Sequence, residues 1–270
     1  MLTIINILKE HITWRHQIIK LAFSDMKKTY SGAALGWAWA IVKPTILIFV
    51  YWFAFTVGLR GAGDRAAGDH PFVIWLIAGI ISWFYMSEMI SGGSGCFKNY
   101  SYLITKMKFP VSTIPTFVAI SKLFIQLGLI GITIIFFAFF GYYPDIYMLE
   151  LPIYIILMLL FFIPWALFSS MLSAVSKDFQ NLIKSFITAI FWMSGILWDV
   201  NKISHGWLRT LLMFNPVTFI ATGYRNVFVS KIWIWQEPRA LLYFLIMLFI
   251  MECGAIWAYK KLTRKIPDYL

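Results

Sequence analysis

Six stretches of this chain, at about 37–59, 72–95, 121–141, 151–176, 182–198 and 240–259, are apolar over lengths that approach or reach what a bilayer crossing requires. A helix needs about 20 apolar residues to cross the hydrocarbon core. Repeated six times in 270 residues, the pattern leaves only short connections and no room for a large water-soluble domain. Composition agrees, with 60% hydrophobic and 13% charged residues, against roughly 25% charged in a soluble domain. The expected fold is an all-α membrane protein with six transmembrane helices.

Residues 1–30 are basic and interrupted by charge, unlike a cleaved leader. Ile5, Ile12 and Ile19 repeat every seven residues, with Leu8 and Ala22 on the same stripe, so the segment is expected to be an amphipathic interfacial helix. Residues 31–270 then form one transmembrane domain. Between the fifth and sixth stretches, 199–237 is too polar to cross and is broken at Asn215-Pro216. Its short apolar pieces predict re-entrant helices.

A net charge of +11 would suggest nucleic acid in a soluble protein, but its placement gives another cause. With both termini inside, the inner segments carry Lys9, Arg15, Lys20, Lys27, Lys28, Lys98, Lys106, Lys108, Lys177, Lys184 and the Lys260–Lys265 cluster. The outer ones carry only Arg60, Arg65, Lys202, Arg209, Arg225, Lys231 and Arg239. Both termini are therefore expected to be cytoplasmic, and no nucleic acid partner is needed.

No phosphate-cradling G-x-x-x-x-G-K-[ST] pattern occurs, so any ATP must be bound by another chain. Two cysteines and four scattered histidines give no metal-binding spacing. Charged residues inside the apolar stretches cost about 2.5–3.5 kcal/mol each unless paired or wet. Lys43, Glu88, Lys122 and Glu252 fall in this class, with Glu88 expected to pair with Lys43 or Lys122. They form either an internal ion-pair layer or a contact for a charged headgroup. Among 25 Phe, 13 Trp and 13 Tyr, most suit interfacial belts. Tyr51, Phe55, Trp83, Phe84, Trp192 and Trp198 are candidates for a path along which a sugar or polyol chain slides. The loop from Lys98 through Lys106, Lys108 and Phe109 to Pro110 is basic and helix-capable, either an ordinary loop or a short helix docking on a partner.

The segments Leu35-Gly36-Trp37-Ala38-Trp39, Pro71-Phe72 through Ser82-Trp83-Phe84, Met107-Lys108-Phe109-Pro110, Lys177-Asp178, Phe214-Asn215-Pro216 and Gly223-Tyr224-Arg225-Asn226 occur in an order and spacing that resembles the membrane subunit of ABC-2 type polysaccharide exporters. Tyr51 through Phe55, Gly58-Leu59-Arg60 and the terminal Asp268-Tyr269-Leu270 are most similar to its wall teichoic acid branch. The chain departs from the family's usual R-D-L-K-x-R-Y, with Ser24-Asp25-Met26-Lys27-Lys28-Thr29-Tyr30 in its place. The resemblance implies a bacterial cytoplasmic membrane location and a homodimer joined to two copies of a separate ATPase that binds ATP and Mg. It implies export of an undecaprenyl-diphosphate-linked polymer, with no catalysis by this chain alone. It also implies that the loop after the second span is a cytoplasmic coupling helix and that the N-terminal helix is a gate. Two alternatives stay open: an exporter of a small drug or lipid in the same class, and a membrane-embedded transferase using Asp64, Asp69, His70, Asp145 and Glu150.

Overall fold

The computed structural model describes residues 2–32, 34–58, 65–67, 70–107 and 109–270. The described residues are mainly helical, with one two-stranded antiparallel ribbon among them, β1 (Arg65–Ala67) paired with β2 (His70–Pro71). The N-terminal segment is two helices, α1 (Leu2–Thr13) and α2 (Arg15–Tyr30), joined at Trp14. Backbone bonding continues across the join, Trp14 N–H to Glu10 O and Ile18 N–H to Trp14 O, both 2.9 Å. Ile18 and Ala22 are buried, whereas Ile5, Leu8, Ile12 and Ile19 of the expected stripe face outward. That leaves an apolar face for lipid.

Among the described residues, five segments are long and apolar enough to cross a membrane: Gly36–Gly58, Phe72–Ser94, Thr113–Phe139, Ile146–Val175 and Pro238–Leu262. The first is built on α3 (Trp39–Phe53) and closes in a π-helical turn at Ala54–Gly58. The second is α4 (Phe72–Ser94), followed by the short helices α5 (Cys96–Asn99) and α6 (Ser101–Thr105). The third, α7 (Thr113–Phe139), begins well before the expected 121. The Pro110 carbonyl accepts from the Thr113 N–H (3.2 Å) and hydroxyl (2.8 Å), and Pro115 sits in the first turn, where its missing N–H has no intrahelical partner to lose. Lys122 is thereby placed two turns into the helix.

The fourth, α8 (Leu151–Val175), has Pro152 in its first turn and Pro164 inside it. The next helix, α9 (Lys177–Met193), has 17 residues and stops short of the expected 198. Gly195 adopts φ 62°, a left-handed conformation that ends a helix. At about 26 Å by its rise per residue, with Lys177, Asp178 and Lys184 in its first half, α9 is shorter and more polar than the five long spans. Two short helices follow, α10 (Gly206–Met213) and α11 (Pro216–Arg225). Asn215 caps α11 by accepting the Val217 N–H at 3.0 Å, so the Asn-Pro break is a helix start. The chain ends with α12 (Pro238–Leu262) and α13 (Ile266–Tyr269).

Most of α4 is buried and it forms the axis of the bundle, touching α7, α8, α9 and α11. Its Gly93 lies so close to Ala166 that an added Cβ would come within 2.9 Å of the alanine Cβ, the close approach small residues permit between membrane helices. By contrast α3 buries only Pro44 and exposes Ile41, Ile46, Phe49, Val50 and Phe53.

Candidate functional site

Near the end of the molecule that carries both termini, α2, α3, α4 and α7 enclose a cleft of about 370 Å³. Three of the four intramembrane charges line it. Lys122 Nζ lies 3.4 Å from Glu88 Oε2, which offsets the cost of both charges at similar depth. Lys43 also lines the cleft, with its Nζ 5.8 Å from the centre of the Trp39 ring and no carboxylate partner among the described residues. Two ammonium groups thus face one carboxylate, an excess that favours an anion. Tyr30 reaches the cleft from the end of α2. Burial, then the charge of Glu88, pushes its phenol above the usual range, so it stays a protonated donor at neutral pH. Gln126 is buried in the cleft wall beside the Tyr224 hydroxyl. The fourth charge, Glu252 on α12, is half-buried away from this group and makes no ion pair among the described residues.

Five of the six candidate aromatics gather elsewhere, around a residue the sequence reasoning missed. Phe191 on α9 is buried and receives Tyr51 (ring centres 5.2 Å, stacked) and Trp83 (5.2 Å). Trp192 lies 6.0 Å from Phe191 and 6.4 Å from Phe55, and the Trp198 Nε1 donates to the Trp192 carbonyl at 2.9 Å. Phe55 continues the series to Phe72 (5.7 Å), and Phe72 to Trp75 (6.1 Å, stacked). Within this seam Trp83 is buried, whereas Tyr51 and Phe55 are half-buried and Trp192 is exposed. Phe84 stands apart, in the wall of the charged cleft. The signal for Phe191 was available: Ile183, Ile187 and Phe191 are four apart and mark the packed stripe of α9.

The basic loop is clamped on three sides. Lys98 Nζ donates to Gln180 Oε1 at 3.3 Å, tying α5 to the start of α9. Burial, then nearby Lys177 and Lys184, holds its pKa below the ordinary lysine range. The Tyr100 hydroxyl donates to the Asp25 carboxylate on α2. Phe109 is buried and meets Trp14 edge-on at 5.0 Å, while its N–H bonds Leu103 O at 2.9 Å. Pro110 carries the start of α7 through its carbonyl. Exposed between these anchors are Tyr102, Thr105, Lys106 and Met107; Lys108 lies outside the described residues. Phe109 and Pro110 therefore join the loop to the bundle, and Lys106 belongs to its free surface.

At the opposite end, Arg225 is 5% exposed with no carboxylate partner among the described residues. Its guanidinium donates to the carbonyls of Gly195 (2.8 Å), Ile196 and Trp75 (3.4 Å) and lies 3.4 Å from the centre of the Trp75 ring. An added Cβ at Gly79 would come within 2.5 Å of Arg225 Nη2, so the cation needs this glycine. Asn215 adds a second tie, its amide donating to Ser194 Oγ at 2.8 Å. The short helices α10 and α11 are thus fastened to the open carbonyl end of α9, where a cation is favoured.

The transferase candidates do not converge. His70 bonds Tyr142 at 2.9 Å, Asp145 pairs with Lys231 at 2.8 Å, and Glu150 accepts the Ile234 N–H at 2.9 Å. Asp64 and Asp69 lie outside the described residues. Three separate contacts do not make an acid–base constellation.

Residues 16–229 match the model of the ABC-2 type transporter family. The chain is also 24% identical, over 225 residues, to an O-antigen export system permease protein from Myxococcus xanthus, covering 83% of this chain and 84% of that protein. A bundle of long apolar helices matched over most of its length establishes a multi-pass membrane protein, and the chain belongs to the ABC-2 type transporter family.

Proposed function

We propose that this chain is the permease of an ATP-driven exporter that moves a lipid-linked cell-surface polysaccharide across a bacterial cytoplasmic membrane. The observation that carries this is the clamped loop 96–110. One surface, with Lys106 and Met107 at its free edge, is joined at once to α9 through Lys98, to α2 through Tyr100 and to α1, α2 and α7 through Phe109 and Pro110. Movement of a partner docked there reaches α2 and α7, two of the helices around the charged cleft, directly. Similarity across most of both chains to an O-antigen export permease supports a polysaccharide as cargo.

In this reading the ATP and Mg belong to a separate ATPase. Two copies of the chain assemble with two of that subunit, burying the exposed faces of α3 and α9. The short α9 makes a sixth crossing, both termini are cytoplasmic, α1 and α2 lie in the inner headgroup plane as a gate, and α10 and α11 re-enter at the outer face. The cleft of Lys43, Lys122 and Tyr30 receives the diphosphate of an undecaprenyl carrier, and the half-buried ring faces of Tyr51 and Phe55 guide the chain. The terminal Asp268-Tyr269-Leu270 and the Tyr51–Phe55 stretch favour wall teichoic acid as the polymer.

The test is to isolate the tagged chain from its native membrane and identify what remains bound. An ATPase should co-purify in equal amount, and Lys106→Glu should release it without lowering the level of inserted permease. An isolated permease that binds Mg-ATP tightly, or one that carries no ATPase, would overturn the proposal.

A further inference from the structure

The end opposite the termini contains two adjoining cavities, of about 470 and 270 Å³, that share Asn201 and Glu237 as a wall. Arg209 and Arg239 line the larger and Arg225 the smaller. None of these three guanidinium groups makes an ion pair among the described residues. Asp199 and Glu237 also line the walls and keep their charge while accepting the Asn201 N–H at 2.9 Å and the Asn226 amide at 3.0 Å, so among the described residues the four cations, Lys202 included, outnumber the carboxylates by two. Elsewhere the same chain does pair its charges, as Lys231 with Asp145 shows. A concave wall with an excess of cations focuses a positive field. Arg209 is held in place by Asn201 at 2.8 Å, so part of the ordering cost of binding is already met.

We propose that this trench binds a phosphate-bearing, hydroxyl-rich chain, with phosphates on Arg209 and Arg239 and hydroxyls on Asn201, Asn226 and Thr222. The assignment rests on the export reading and deepens it by placing a binding site for the cargo's phosphates at the end opposite the charged cleft. Guanidinium forks match phosphate oxygens in two-point contacts. A neutral glycan would leave those cations unanswered. The adjoining smaller cavity supplies amide and hydroxyl partners, Asn226 and Thr222, for the hydroxyls of the chain beyond the phosphates. Arg225 is engaged with backbone carbonyls and contributes field without leaving its place.

The experiment measures binding of a short oligo(glycerol phosphate) and of a neutral oligosaccharide of equal length to the full-length chain in nanodiscs. Arg209→Gln/Arg239→Gln is compared with wild type, and thermal melting reports folding. Wild type should bind the charged oligomer at least about tenfold more tightly than the double variant, a difference that shrinks as salt rises. The neutral oligomer should not distinguish them. Equal binding of the charged oligomer to both folded proteins, or equal preference for the neutral one, would overturn the trench. Export by the wild-type complex, measured in parallel, separates this from the broader reading: export with unchanged binding rejects the trench alone, and absence of export rejects the export proposal.

Discussion

Single residues decide where this chain tolerates charge. Glu88 and Lys122 were legible because a charge inside an apolar stretch is visible in sequence, and the bundle places them 3.4 Å apart. With 60% of its side chain exposed, Glu88 keeps contact with solvent. A double-mutant cycle on Glu88→Gln and Lys122→Gln should therefore give a coupling of about 0.5–1 kcal/mol in thermal unfolding, and zero coupling would mean independent roles. Arg225 was not legible as a buried cation, since nothing in its sequence neighbourhood announces that two carbonyls from beyond α9 and the face of Trp75 surround it. Arg225→Lys keeps the charge but loses the planar fork. It should cost about 2 kcal/mol in unfolding free energy, with Gly79→Ala lowering stability in the same direction by driving a methyl into the guanidinium. Wild-type melting of both variants would show that the contact is dispensable.

At the scale of helices, the long apolar stretches gave α4, α8 and α12 to within a few residues because length and hydropathy suffice there. The ends of α7 and α9 did not follow, because they depend on backbone events: the Pro110 carbonyl starting one, and the left-handed Gly195 stopping the other. The aromatic candidates divide by the same packing. Trp83, buried against Phe191, is a core residue within the single chain, and Trp83→Leu should destabilise by about 2 kcal/mol through lost contacts and volume. Tyr51→Leu and Phe55→Leu, whose rings are half-exposed, should leave melting nearly unchanged while export falls. If all three variants instead melt and export like wild type, the seam neither packs nor guides. For the loop, Phe109→Ala empties a buried contact with Trp14. ATP hydrolysis should continue while export drops severalfold, and normal export by an assembled Phe109→Ala complex would remove that anchor from the coupling route.

For the whole molecule, the distribution of burial makes one arrangement coherent. An axial α4 is buried by its neighbours, while α3 and the outward stripes of α2 and α9 lie open. The clamped loop and charged cleft sit toward one end, and the Arg225 tie and cationic trench at the other. The membrane class was legible in the sequence, because it is a property of composition along the chain. The trench was not legible, since its arginines are separated in sequence and come together only when α10 folds back against the start of α12. In the proposed function this chain is a path through the membrane, energised from outside itself through loop 96–110. This role is tested most directly by reconstituting the chain in vesicles with and without the co-purifying ATPase and following labelled lipid-linked polymer across the bilayer. ATP-dependent transfer is expected only from the assembled complex and should be abolished when the ATPase is omitted. Transfer by the chain alone on addition of ATP, or chemical modification of the lipid-linked sugar in place of its movement, would contradict it.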